Sequence, residues 1–400
     1  MTLNPVFLAA PVRAIRWLAV FALFLALLAG CAANQPQPVA TEAETPSEPE
    51  GEAPADQPQA AVSESENRAN LPKQDLTENI LYEFLLAEIA GQRGNVALAA
   101  QAYVDLAKQT RDPRIARRAT EIALYARMNN AAIEAAKIWY QGDPDSQRPL
   151  QALGGLLVAS SRYDEAAPYL KKLLATAPNG PGNGFVQLTR TLANAQDKAA
   201  ALKLVQELAA DYPKLSQAHL TVAQVAAGAG DDRLALDEVG TALQLQPDSE
   251  TAVLFEAQLL QKTSPDRAAA LLRNFLKKYP AAREARLGYA RLLVAQKRFG
   301  EARAEFETLM AGAPDNTDMA FAVALLSLQL KDYDAAERYL KRLLDTDYRD
   351  KDGVKLYLGQ VAEERNDFPE ALRWYGGVGE GDQYVQAQIR YAEVLFKQGK

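Results

Sequence analysis

Very little in the chain could do covalent chemistry. In 400 residues there is one histidine, His219, and one cysteine, Cys31. A metal centre needs several His, Cys or carboxylate ligands, and an activated nucleophile needs a base within reach. His219 sits in the run SQAHLTVAQ with no second histidine or cysteine to share a metal, so a surface or groove imidazole is expected. Glu363 and Glu364 could be cast as an acid–base pair, but nothing nearby would raise a carboxyl pKa, and they read as exposed helix carboxylates. The run APNGPGNGF around Gly180–Gly184 follows no strand, so it reads as a linking loop and not a phosphate cradle. No catalytic residue, bound metal or dissociable cofactor is expected.

Binding is the reading that remains. A net charge of -7 and a pI near 5.2 argue against a nucleic-acid partner. Against that acidic background, Arg111, Arg114, Arg117 and Arg118 cluster, and positions 114, 117 and 118 share one helical face. That stripe is the candidate contact for an acidic protein partner.

Proline recurs at 144, 178, 213, 247, 280 and 314, and alanine keeps the same beat at 99, 132, 166, 201, 235, 268, 302, 336 and 371. A period of about 34 residues with two phase-locked markers resembles tetratricopeptide repeats (TPR), helix pairs that stack into a solenoid. The expected fold is all-α: a superhelical TPR solenoid spanning 76–400, with about nine helix pairs and a partial tenth. The pairs fall near 77–110, 112–144, 146–179, 183–214, 216–248, 249–281, 282–315, 316–350 and 351–381, with the tenth opening near Gln383. Lys400 falls inside that last repeat, so the native chain is expected to continue.

Three copies show the pattern best. Each has a small residue in its first helix (Gly154, Ala290, Gly359), an aromatic at the turn (Tyr163, Phe299, Phe368) and a small residue in its second (Ala166, Ala302, Ala371). Small facing positions let the two helices approach closely, and the proline beyond the second helix ends it. In the same frame Arg190, Gln224, Arg291, Leu325 and Gln360 occupy equivalent groove-facing positions on first helices. That mixture suits an extended peptide or a protein surface more than a small molecule.

The amino terminus supplies an address. Arg13 and Arg16 precede an apolar run from Trp17 to Ala29, too short to span a bilayer, so residues 1–30 read as a secretory signal. Leu28-Ala29-Gly30-Cys31 resembles the bacterial lipobox, which implies cleavage before Cys31 and covalent lipid on its thiol and new amino group. Several acyl chains anchor stably where one is marginal. Ala32 follows the cysteine, and the resemblance then implies sorting to the outer membrane. Residues 31–75 form a proline-rich segment whose charges are almost all acidic, expected to be a disordered tether.

Lipobox, acidic tether and the stretch Leu76–Asn130 together resemble the long LbcA-like TPR lipoproteins of the outer membrane. The resemblance implies a non-enzymatic adaptor on the periplasmic face. Such an adaptor binds a carboxyl-terminal processing protease, which is a serine protease, and brings peptidoglycan hydrolases to it. A scaffold in an exopolysaccharide-secretion, β-barrel-assembly or pilus complex is the competing reading.

Overall fold

The computed structural model describes Pro72 and residues 74–399. These lie within Gln59–Lys400, one of two compact units of the chain. The signal, Cys31 and nearly all of the tether lie outside the described residues.

The described residues form 19 α-helices and no strand. They pair as α1 (Glu78–Gln92) with α2 (Val96–Thr110), α3 (Pro113–Tyr125) with α4 (Asn129–Gly142), and α5 (Gln147–Ala159) with α6 (Tyr163–Ala175). Next come α7 (Pro181–Ala193) with α8 (Lys198–Ala209), α9 (Ser216–Gly228) with α10 (Asp232–Leu245), and α11 (Glu250–Thr263) with α12 (Pro265–Lys278). The last pairs are α13 (Arg283–Ala295) with α14 (Phe299–Ala311), α15 (Thr317–Gln329) with α16 (Tyr333–Leu344), and α17 (Lys351–Glu364) with α18 (Phe368–Gly376). Helix α19 (Tyr384–Lys397) opens a tenth unit. The helices of the nine pairs and partial tenth read from the proline and alanine beat are all present in that order, but the two of the fourth pair, α7 and α8, do not close on each other as the other hairpins do.

Local sequence explains most helix starts. Asn95, Asp112, Asp197, Asp231, Asp332 and Asp367 each place a side-chain oxygen on a backbone N–H of the helix they precede. Helix α13 has no such residue at its own start. Glu250, one repeat earlier, reaches across and accepts from the Ala285 N–H at 2.8 Å, so one repeat caps the next.

Packing is sequential. Each helix packs on its chain neighbours except α7 and α8, which barely touch each other and pack instead on α6 and α9. The longest-range pairings join alternate helices, such as α2 with α4, α7 with α9 and α11 with α13. Every beat alanine from Ala99 to Ala371 is completely buried. The small residue of the first helix meets a large one of the second. A Cβ on Gly154 would stand 2.7 Å from Leu170 Cδ2, and Ala290 is matched by the buried Phe306 in the same register.

The beat prolines carry a further contact. Three of their six carbonyls accept from a basic side chain of the repeat that follows: Pro144 from Lys172 at 2.7 Å, Pro280 from Arg286 at 2.8 Å and Pro314 from Arg342 at 2.9 Å. Pro213 is approached by His219 Nε2 at 3.1 Å.

Apolar surface remains at both ends of the described stack. Tyr82, Leu85 and Ile89 of α1 are exposed on one helical face. On α19, Val385, Ile389, Ala392 and Phe396 form an exposed stripe in the register that α18 covers on α17.

Candidate functional site

The first helices lie side by side and present one common face. Its register is fixed by contacts between neighbours. Gln151 of α5 donates to Gln187 of α7 at 3.2 Å, and a Cβ on Gly288 of α13 would stand 2.3 Å from Leu254 Cδ2 of α11. A cleft of about 370 Å³ opens on this face, where Gln224 of α9, Thr251, Leu254, Phe255 and Gln258 of α11 and Glu284 of α13 meet. Three consecutive repeats therefore contribute to one open surface.

The predicted groove residues fall as follows. Arg190 is exposed, while Gln224, Arg291 and Gln360 are partly exposed. The Nε of Arg291 is buried without a hydrogen-bond partner. Leu325 differs from expectation: it is 4% exposed, because α15 is apolar on every side and is buried along its length from Ala320 to Leu328. It belongs to the floor and offers no side chain to a partner.

Gln258 is the groove residue that the repeat beat did not find. Repeat six has a single residue, Ser264, between its helices, where α13 and α14 are separated by Gln296, Lys297 and Arg298. Its small pair is therefore Ala257 and Ala268, one residue closer than Ala290 and Ala302. The signal was the Pro247–Pro280 interval, one residue short of the Pro280–Pro314 interval.

The arginine stripe lies on α3 with all three members exposed. Two are engaged locally. Arg114 makes a bidentate contact to the capping carboxylate of Asp112 at 2.6 and 3.0 Å, and Arg117 pairs with Glu121 at 2.8 Å. Burial pushes the Asp112 carboxyl up, but the hydrogen bonds from Arg114 outweigh it and leave the pKa lowered. Arg118 has no ion pair among the described residues and borders a second cleft of about 270 Å³ with Gly91, Val96, Ala99, Glu121, Ile122 and Tyr125.

His219 is a strut between elements. Its Nδ1 lies 2.6 Å from Glu238 Oε2 of α10, and its Nε2 faces the Pro213 carbonyl. Arg286 makes the same pair of contacts at the equivalent position two repeats on, to Glu305 at 2.6 Å and to the Pro280 carbonyl. The two neighbouring carboxylates expected to be exposed have different environments in the structure. Glu363 is buried, accepting from Tyr375 Oη at 2.8 Å and from Lys397 of α19. Burial raises its pKa, yet the Lys397 and Tyr375 hydrogen bonds prevail and lower it overall. Glu364 stays exposed. Glu363 thus differs from the exposed carboxylate expected, because its cation lies a full repeat downstream.

Among the described residues no group of three or more His, Cys, Asp or Glu side chains is placed to hold a metal ion, and no helix is long and apolar enough to cross a membrane.

Paired helices, a small-residue seam and a common first-helix face define a tetratricopeptide-repeat solenoid, and the tetratricopeptide-repeat family matches residues 150–183, 259–328 and 321–384. The chain is a TPR repeat protein. It is 33% identical over 330 residues to the TPR repeat-containing protein PA4667 of Pseudomonas aeruginosa. The match covers 81% of this chain and 55% of PA4667, so the chain spans about half the length of that curated relative.

Solved structures resemble it more distantly. PilF of Pseudomonas aeruginosa is 17% identical at a TM-score of 0.37, covering 60% of this chain and 100% of that one. The type IV pilus biogenesis factor PilW is 19% identical at a TM-score of 0.36, covering 55% and 98%.

Proposed function

We propose that the chain is a lipid-anchored adaptor at the periplasmic face of the outer membrane. In this reading it binds a carboxyl-terminal processing protease and presents peptidoglycan hydrolases to it. The observation that carries the scaffold part is the shared first-helix face, on which α9, α11 and α13 open a cleft lined by amides, carboxylates and the apolar Leu254 and Phe255. An open surface built from several repeats suits a protein or an extended segment better than an enclosed small-molecule site. The choice of partner rests on the resemblance of the lipobox, the acidic segment and the Leu76–Asn130 stretch to LbcA-like lipoproteins. Holding protease and substrate on one anchored chain would raise their effective concentration without any chemistry by the chain itself.

The test uses the full anchored chain with a photo-cross-linking residue at Gln258. Mass spectrometry of cross-linked partners should recover a periplasmic serine protease of the processing class. Recovery of only polysaccharide-export, β-barrel-assembly or pilus proteins would overturn the adaptor reading in favour of an assembly scaffold. Cys31→Ser should move the chain from the membrane fraction to the soluble periplasm.

A further inference from the structure

The chain carries more acid than base, 51 Asp and Glu against 44 Lys and Arg, yet one stretch of the first-helix face reverses that sign. Helices α5 and α7 contain no acidic residue at all. Each supplies one exposed arginine, Arg148 and Arg190, and α3 supplies Arg118. None of these three guanidiniums has an ion pair among the described residues, whereas Arg114 and Arg117 beside them are paired. The three sit at positions that face the groove or the neighbouring first helix, in the register set by the Gln151–Gln187 contact.

Apolar surface accompanies the charge. Val186 of α7 is 49% exposed and Tyr125 of α3 is 78% exposed. The cleft beside Arg118 is lined by the apolar Val96, Ala99, Ile122 and Tyr125 together with Glu121, whose carboxylate is already paired with Arg117. Moving along the stack the sign changes again: the cleft on α9, α11 and α13 holds Glu284, exposed and without an ion pair among the described residues.

We infer that the α3–α5–α7 face is the docking site for an extended acidic polypeptide segment with interspersed apolar side chains. Carboxylates meet Arg118, Arg148 and Arg190 in succession, and an apolar side chain enters the cleft beside Tyr125. The inference rests on the reading of the first-helix face as the partner surface, and it adds the chemistry and place of the contact. Unpaired guanidiniums favour such a segment twice. They attract it at a distance, and they accept carboxylates in bidentate geometry without first breaking an internal ion pair.

The probe is a short fluorescein-labelled peptide alternating glutamate with leucine, followed by fluorescence anisotropy on the full chain in detergent. A lysine-for-glutamate version is the control. The acidic peptide should bind at least about tenfold tighter than the lysine peptide, and its affinity should fall as salt is raised. The combined variant Arg118→Glu, Arg148→Glu, Arg190→Glu should weaken it about tenfold or more, while Arg233→Glu on the second helix α10 leaves it unchanged. Circular dichroism of the combined variant should match the parent, since no internal ion pair is removed. Equal binding of the two peptides, or an unchanged affinity in the combined variant, overturns the inference. Protease capture by the combined variant is read separately. Capture retained with peptide binding lost would leave the adaptor reading standing with a different docking site, and peptide binding without any protease capture would remove only the adaptor reading.

Discussion

Gly359 and Tyr375 fill complementary halves of one space. A methyl group at 359 would stand 2.5 Å from both Cδ1 and Cε1 of the Tyr375 ring, which is itself completely buried. The missing side chain on α17 is what admits the large one on α18. The same exchange recurs at Gly154 with Leu170 and, in register, at Ala290 with Phe306 and Ala324 with Leu340. The seam is therefore a small-against-large fit, and the completely buried beat alanines at 166, 302 and 371 flank it.

Gly359→Ala should destabilise the chain although alanine is the better helix former. Overpacking costs about 1–3 kcal/mol, against a helix-propensity gain of about 1 kcal/mol at most. Gly240, in the middle of α10, has nothing within 4 Å of an added Cβ, so Gly240→Ala should stabilise by up to about 1 kcal/mol. Denaturant midpoints of the two variants should move in opposite directions; movement in the same direction would refute the seam argument.

Glu256 stands where the other repeats bury an apolar side chain, such as Leu153, Leu188, Val222, Tyr289, Val323 and Leu358. Burial pushes its carboxyl above the ordinary value, opposed by Arg267. A raised folded-state pKa means that the site's contribution is best below the unfolded value of about 4.3 and is lost as pH rises through the folded value. Glu256→Leu should therefore gain about 1–3 kcal/mol at neutral pH and progressively less towards pH 4. Thermal melts at the two pH values check this, and a gap that does not narrow on acidification would count against it.

His219 and Arg286 perform one structural task with two chemistries. His219→Ala should cost about 1–2 kcal/mol by removing the imidazole that bridges Glu238 and the Pro213 carbonyl. His219→Arg copies Arg286 and should stay within about 0.5 kcal/mol of the parent. Urea unfolding of both variants measures the difference, and equal losses would show that the strut adds nothing.

Lys331 closes the turn between α15 and α16 with φ at 60°, in the left-handed region that an L side chain disfavours. Lys331→Gly should raise stability by about 0.5–1 kcal/mol. A fall in the thermal midpoint would mean that the side chain makes a contact worth more than the strain.

The architecture was legible because it is written twice, in the proline beat and in the small residues, and both report a backbone spacing that stacking demands. The groove residues followed wherever that spacing held, as at Arg190 and Gln224. Gln258 was missed where it slipped by one residue at Ser264. Two other misses are tertiary. Leu325 is buried because its whole helix is apolar, so a position that faces the groove elsewhere is covered there. Glu363 is buried because Lys397, in the next repeat, supplies the cation that makes burial tolerable, and no local window of sequence contains both. His219 was legible as structural but not as a strut, since its partners come from the preceding turn and from α10.

The single-residue turn at Ser264 has a practical meaning for anyone who would rebuild this protein. On its carboxyl-terminal side, the pairs α13–α14, α15–α16 and α17–α18 share a three-residue turn and can be swapped, duplicated or deleted as interchangeable cassettes. A cassette cut across Ser264 would carry the phase change with it and turn every groove residue of α11 by one position, about 100° around the helix axis. The shortened turn is thus a natural boundary for dissecting the chain, and a place where a consensus repeat cannot be dropped in unchanged.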